Sequence, residues 1–323
     1  MISDPECPVC GDRCWTIVGE RIYRSDASAH WRPSARRVLF DIWLKGETQF
    51  HARFAACRTC GMMIYVPRPS VADMEAKFAR NATVGDFLPS KDENVQRTKQ
   101  RARRLFGIVE PRLPRPVAQC RVLDFGGGDG RLLADFLAAG ATCEVIDYCI
   151  HTVPGVRHAG QTEQDLAGQE PYDAIICNHV VEHLAEPLPV LRQLSRALKP
   201  DGVIYVEVPV EVRKAMPAGR EPVTHVNFFI PESLKSLMQR AGYSVATCEL
   251  TAYPHPNGSW SLCAGAIASP GESEPVEQGG FQALQRYLRP SFAHLARVNA
   301  MLWRSFPQRV VNKLALQLRA RAS

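Results

Sequence analysis

From residue 120 to about 270 the chain alternates short apolar runs with amphipathic stretches, the pattern of strands joined by helices. An apolar run opening at Arg121 ends on an acid, Asp124, and gives way at once to Gly126, Gly127, Gly128 and Gly130. An amphipathic helix begins at Arg131. Ala141 to Asp147 is apolar and β-branched enough for a buried parallel strand. Asp173 to Asn178 reads as a fourth strand, and Ala185 to Leu198 as a helix closed by the turn Lys199-Pro-Asp-Gly202. Gly202 to Pro209 is a fifth strand; Tyr243–Tyr253 and Ser259–Ala268 supply two more, expected as an antiparallel pair at the sheet edge. Strands and helices in this alternation predict an α/β sheet.

Strand, glycine turn and helix let a nucleotide-like ligand approach bare backbone. A dinucleotide fingerprint would need a third glycine where Arg131 stands, and a pyrophosphate would be repelled by Asp124. A zwitterionic amino acid bearing a sulfonium suits the site better, because its ammonium can pair with that carboxylate. Asp147, at the end of the second strand, is placed to accept from ribose hydroxyls.

The run Asp124 to Gly130, the acid at 147, the block Tyr172 to Pro209 and the segment Thr224 to Tyr243 together resemble class I S-adenosylmethionine-dependent methyltransferases. The resemblance implies a Rossmann-like seven-stranded sheet of order 3-2-1-4-5-7-6. It also implies donor contacts at Asp124, Gly126, Gly128, Gly130, Asp147 and Asn178. For the adenine ring it offers Gln161, Thr162, Glu163 and Asp165 without choosing among them. In-line methyl transfer to a hydroxyl, or to a carbon beside a carbonyl, also needs a base. His225 ranks first, in the connection after the fifth strand. His179, His183 and Glu182 follow the fourth strand at the carboxyl edge of the sheet; His179 reads as a pocket wall, and Glu182-His183 alternatively as a cap on the next helix. His255, between two prolines, reads as a loop residue.

Eleven cysteines change the picture only at four positions. Cys7-Pro-Val-Cys10-Gly and Cys57-Arg-Thr-Cys60-Gly are matched knuckles, in which two thiolates converge on one ion while the glycine permits the tight turn. Together they predict a closed four-thiolate structural zinc site with no catalytic role; Cys14 is a spare thiol of poorer spacing. The stretch from Cys57 to Ser70 resembles the N-terminal zinc-binding lobe of the sugar C-methyltransferases. In those relatives a histidine in the region of His225 serves as base beside Tyr and Glu, whereas Val223 and Thr224 precede it here. They also carry a further C-terminal domain, for which the residues after 268 are too few.

The expected organisation is a zinc-binding lobe (1–70), linking helices (71–118), the methyltransferase domain (119–268), a polar linker (269–280) and a basic helical tail (281–323). Val95 to Pro116 is basic and reads as a helix with a solvated charged face. From Phe281 onward there are eight Lys or Arg and no acid, which accounts for most of the net charge of +6. That tail suits packing on the core, or contact with a protein or an anionic membrane surface. No signal peptide or spanning segment is legible, and reduced core cysteines suit the cytoplasm. The expected activity is methyl transfer to an O or C atom of a small molecule: a sugar, nucleotide-sugar, glycan or secondary metabolite. The alternatives are an rRNA or tRNA methyltransferase and a non-catalytic cofactor-binding scaffold. Against nucleic acid, 46 residues separate Cys10 from Cys57, and Cys-Asn-His-Val follows the fourth strand where an Asn-Pro-Pro-Tyr type motif would stand.

Overall fold

The structure, a computed structural model, describes residues 1–26, 33–84, 95–212, 222–254, 260–276 and 279–303. Strand β1 (Trp15–Arg24) is followed by α1 (Pro33–Arg37), β2 (Gln49–Cys57), β3 (Met63–Val66), α2 (Val71–Val84) and α3 (Val95–Val109). Next come β4 (Arg121–Phe125), α4 (Ala134–Ala138), β5 (Thr142–Ile146), β6 (Val156–Gly160), β7 (Tyr172–Asn178), α5 (Pro187–Arg196) and β8 (Leu198–Pro209). The chain closes with β9 (Asn227–Phe228), α6 (Pro231–Arg240), β10 (Tyr243–Pro254), β11 (Trp260–Pro270), α7 (Gly280–Leu288) and α8 (Phe292–Trp303).

One sheet has seven strands in the order β10-β11-β8-β7-β4-β5-β6. Numbered from β4 within that sheet, and leaving out β9, the order is the expected 3-2-1-4-5-7-6. β4 lies parallel to both β5 and β7, and β11 runs antiparallel to β8. The chain turns opposite ways out of β4, so a crevice opens at the carboxyl ends of β4 and β7. Both sheet faces are covered, which is why β7 reads as a continuous apolar run. Ile175 and Ile204 face a core shared with α5 and the N-terminal lobe, while Ile176 and Val203 face a second core with Leu105 of α3 and Phe136 of α4. Each such side chain, fully buried, contributes roughly 1.5–3 kcal/mol.

Lys199-Pro-Asp-Gly202 is not a turn between elements, as its composition suggests, but a bulge inside β8. Between the pairs Tyr172↔Leu198 and Ala174↔Val203, β8 has four residues against one of β7. Pro200 has no N–H to give the ladder, and Lys199 reaches back to Asp173 (Nζ to Oδ2 2.9 Å).

The second sheet has four strands, β1-β2-β3-β9. Its last member comes from beyond β8, so residues 1–70 do not complete it alone; Met63 pairs with Phe228 and Ile64 with Asn227. The tail, through residue 303, packs on the protein: Ala283, Leu284, Tyr287 and Val298 are buried. The start of α7 sits on the second knuckle, where a Cβ added to Gly61 would lie 2.2 Å from the carbonyl oxygen of Gly280. The rest of the tail and His255 lie outside the described residues. Among the described residues no helix is long and apolar enough to cross a membrane.

Candidate functional site

The turn after β4 is shaped by glycines with positive φ: 72° at Gly126, 61° at Gly128 and 76° at Gly130. A Cβ at Gly126 would meet Val180 at 2.4 Å and one at Gly130 would meet Val156 at 2.7 Å, so these two serve close packing. A Cβ at Gly128 would meet nothing within 4 Å. Gly128 borders a cavity of about 270 Å³, with Asp124, Arg101, Asn178, His179 and Tyr253 also on its wall.

Asp124 is 2 % exposed, and its Oδ2 has no hydrogen-bond partner among the described residues. Burial, reinforced by the charges of Asp147 and Asp129 and opposed by Arg101, pushes its carboxyl up to about 7. The Oδ1 of Asn178 is likewise buried and without a partner. A buried acceptor without a donor is costly, so both positions fit a ligand that brings N–H groups. Asp147 is tied to the same turn: Oδ2 accepts from the Gly128 N–H at 2.9 Å and Oδ1 from the Cys149 N–H at 2.8 Å. Each oxygen keeps a second lone pair.

α3 is not a helix with a wholly solvated basic face. Arg104 turns inward and grips both oxygens of Glu207, which is fully buried and also accepts from Tyr205 at 2.7 Å and Thr251 at 2.8 Å. That pair holds α3 over the sheet, and Arg101 reaches the cavity beside Tyr253, with its guanidinium 5.4 Å from the ring centroid.

His179 leaves β7 with φ 58°, unusual for a side-chain-bearing residue. Its Nδ1 lies 3.2 Å from Glu182 Oε1 and its ring 4.2 Å from that of Tyr253. It lines the cavity and touches Glu182, so it joins the glycine turn to a second cluster.

That cluster unites Glu182, His183 and His225, with one ligand atom of each within 4.8 Å of the others. Glu182 is fully buried and its Oε2 has no partner among the described residues. Burial would raise its carboxyl, but the His179 hydrogen bond and the neighbouring imidazoles hold it down at about 2. His183 is lowered to about 4, chiefly by burial and further by His225 and Lys77, against the pull of Glu182. Its Nδ1–H donates to the Thr224 carbonyl at 2.5 Å, which fixes a neutral tautomer with Nε2 bare. The rings of His183 and His225 meet edge to face at 4.8 Å.

Glu182 and His183 do not cap α5, which starts at Pro187 with Glu186 before it. An acid does stand beside His225: Glu211, just past β8, accepts from its Nδ1–H at 2.7 Å. Of the adenine candidates, Thr162 and Asp165 are spent on a capping box, Asp165 Oδ2 taking the Gln161 and Thr162 N–H groups at 2.8 and 2.9 Å.

The knuckles come together as their spacing predicts. Cys7 and Cys60 sulfurs are 3.5 Å apart, Cys10 and Cys57 3.4 Å, and one ligand atom from each of the four lies within 4.8 Å of the rest. Four sulfurs at about 2.3 Å from a tetrahedral zinc stand about 3.8 Å apart, so the set fits that ion. Gly11 and Gly61, at φ 81° and 73°, turn their N–H groups back to the carbonyls of Cys7 and Cys57. Cys14 is exposed and outside the cluster.

Residues 97–247 match a family described as a methyltransferase domain. Ubiquinone biosynthesis O-methyltransferase of Xanthomonas campestris pv. campestris is 31 % identical over 99 residues, 27 % of this chain and 41 % of that protein. Its counterpart from Neisseria meningitidis serogroup A is 27 % identical over 174 residues, 44 % of this chain and 71 % of that one. The chain thus spans about two fifths of the first relative's length. Among solved structures, the 1,6-didemethyltoxoflavin-N1-methyltransferase of Burkholderia thailandensis, bound to S-adenosylhomocysteine, aligns at 20 % identity with a TM-score of 0.48. The alignment covers 65 % of this chain and 96 % of that one.

Proposed function

We propose that this chain is an S-adenosylmethionine-dependent methyltransferase acting on a hydroxyl oxygen of a small molecule, with a carbon beside a carbonyl as the other acceptor type. The observation that carries the reading is the buried, partnerless Asp124 oxygen beside the open backbone of Gly128, within a matched methyltransferase domain. The donor brings an activated methyl on sulfur and needs no further activation. Asp124 pairs with its ammonium, Asn178 Oδ1 takes a further N–H, and Asp147 accepts from the ribose hydroxyls through its spare lone pairs.

On the acceptor side, His225 Nε2 takes the proton of the attacking hydroxyl while Glu211 holds Nδ1–H and stabilises the imidazolium; such a base contributes typically 10²–10⁴-fold. His183, neutral, orients the acceptor, and buried Glu182 offsets the charge that His225 gains. His179 and Tyr253 wall the two halves together, so the methyl and the nucleophile meet away from water. The names of the relatives favour oxygen as the acceptor atom; sugars, nucleotide-sugars, glycans and hydroxylated secondary metabolites are the classes to screen. Cys7, Cys10, Cys57 and Cys60 hold a structural zinc; with all four positions taken by sulfur, no chemical step passes through it.

Calorimetry with S-adenosylmethionine, S-adenosylhomocysteine and NAD tests the donor: saturable binding of the first two and none of NAD is expected. Labelled-methyl transfer across catechols, phenols and nucleotide-sugars then tests the acceptor. Undiminished transfer by His225→Ala sinks the assignment of the base.

A further inference from the structure

The acceptor-side cluster is built from two segments far apart in sequence, Val181 to Ala185 and His225 to Asn227, and a residue of the N-terminal lobe stands between them. Arg68 follows β3 and is 3 % exposed. Its guanidinium donates to the carbonyl of Val226 at 3.1 Å, to Asn227 Oδ1 at 2.9 Å and to the carbonyl of Ala185. Asn227, itself buried, donates onward to the carbonyls of Val181 at 2.8 Å and Leu184 at 2.7 Å. The Val226 N–H reaches the Glu182 carbonyl at 2.9 Å. β3 adds its own ladder to the same strip, pairing Ile64 with Asn227. His225 is the next residue before this fastened strip, and Glu182 and His183 lie inside the other segment.

The same arginine borders a cavity of about 700 Å³ beside Cys7, which raises the alternative of an anion site. Asp4, Glu6 and Glu186 face that cavity too, balancing Arg13, Arg68 and Arg240. Three of the five N–H groups of Arg68 go to carbonyl and amide oxygens of the two segments. The clamp accounts for more of what the side chain does.

We propose that Arg68 is a positioning residue for the acceptor-side centre, fastening the strip after His225 to the turn that carries Glu182 and His183. The N-terminal lobe thereby sets the geometry of proton transfer while leaving the donor cavity alone. This rests on reading Glu182, His183 and His225 as the acceptor-side centre.

The test uses the full-length, zinc-loaded protein with Arg68→Gln, Arg68→Lys and, as control, Arg240→Gln, which breaks the lobe's contact through the Val9 carbonyl. Histidine titrations are read by NMR, and S-adenosylhomocysteine affinity by calorimetry. In Arg68→Gln the His183 ring should hydrate as the clamp opens, and its pKa should rise from about 4 by more than about one unit toward the ordinary 6.5. Arg68→Lys, which keeps the charge but reaches fewer acceptors, should move it less. Affinity for S-adenosylhomocysteine should stay within about twofold, a shift of under about 0.4 kcal/mol, and Arg240→Gln should leave His183 alone. An unshifted His183 in both Arg68 variants overturns the proposal. So does loss of zinc and donor binding in both, since Arg68 then holds the whole fold. A His225→Ala variant that still transfers methyl would remove the base assignment while leaving the titration result standing.

Discussion

With Asp124 pairing to the donor's ammonium as proposed, donor binding becomes a proton-linked event. The Asp124 carboxyl is held up at about 7 by burial and by Asp147 and Asp129, yet it must be ionised to pair with an ammonium. In the complex the ion pair brings it to about 5 or below. Binding then releases a proton, about half of one per donor at pH 7. The apparent Kd should be about eightfold weaker at pH 6.0 than at pH 7.5, worth about 1.2 kcal/mol. Calorimetry of S-adenosylhomocysteine in two buffers of different ionisation enthalpy reads both the slope and the proton. Asp124→Asn should flatten the slope and weaken binding at pH 7.5 by about 1.5–3 kcal/mol, the loss of a charged hydrogen bond. The ligand-free protein should respond the other way. An acid whose folded pKa is raised costs stability as pH climbs from its unfolded value through the folded one, fully so above 7. Removing the charge should therefore stabilise the free protein by a few kcal/mol at pH 7.5. A pH-independent affinity in the unsubstituted protein, or an Asn variant that keeps the slope, refutes the reasoning.

Four further outcomes follow from the same geometry. Glu211→Gln removes the carboxylate that accepts from His225 Nδ1; kcat on a confirmed acceptor should fall about tenfold to a hundredfold, with donor affinity unchanged. Gly128→Ala places its Cβ in the donor cavity at a left-handed backbone position, so S-adenosylhomocysteine affinity should drop more than the roughly 1–2 kcal/mol of folding strain. Gly126→Ala should instead lower Tm by driving into Val180. His183 is a base whose folded pKa lies below its unfolded one, so its contribution is intact above 6.5 and is lost as pH falls toward 4. Urea unfolding at pH 7.5 and 4.5 should show the unsubstituted protein losing up to about 2.5 kcal/mol more than His183→Gln, less whatever solvent reaches the quarter of the ring that is exposed.

What was legible in the sequence was local. The glycine turn, the acid before it and the matched cysteine knuckles are contiguous signals, and they lie together in space because a few residues of backbone force them to. The residues that sequence reasoning missed meet across long separations. Arg104 and Glu207 are 103 positions apart, one inside a basic amphipathic run and the other inside an apolar strand. Nothing in either pattern marks a buried ion pair. Glu211 and His225 are only 14 positions apart, but no local pattern joins them; the return of the chain after β8 brings them within 2.7 Å. Lys199-Pro-Asp-Gly202 has turn chemistry, but ladder partners on β7 at either side of it make it a bulge in a long strand. Glu182 and His183 offer two readings, site residues or a cap on the next helix; α5 starts only at Pro187, with Glu186 before it, so they do not cap it.

The two-residue strand β9 has a consequence for how the chain is made. The small sheet begins with residues 15–24 but lacks its last strand until residues 227–228 have been added. During synthesis the backbone edge of β3 at Met63 and Ile64 must therefore wait, unpaired, for some 160 residues of the intervening chain to emerge. An apolar edge left open that long invites pairing with a neighbouring nascent chain. A long-range closure of this kind also slows folding through the entropy of the loop it must shut. This lobe emerges before the strand that completes it, and an expression fragment covering the lobe alone would carry a sticky seam.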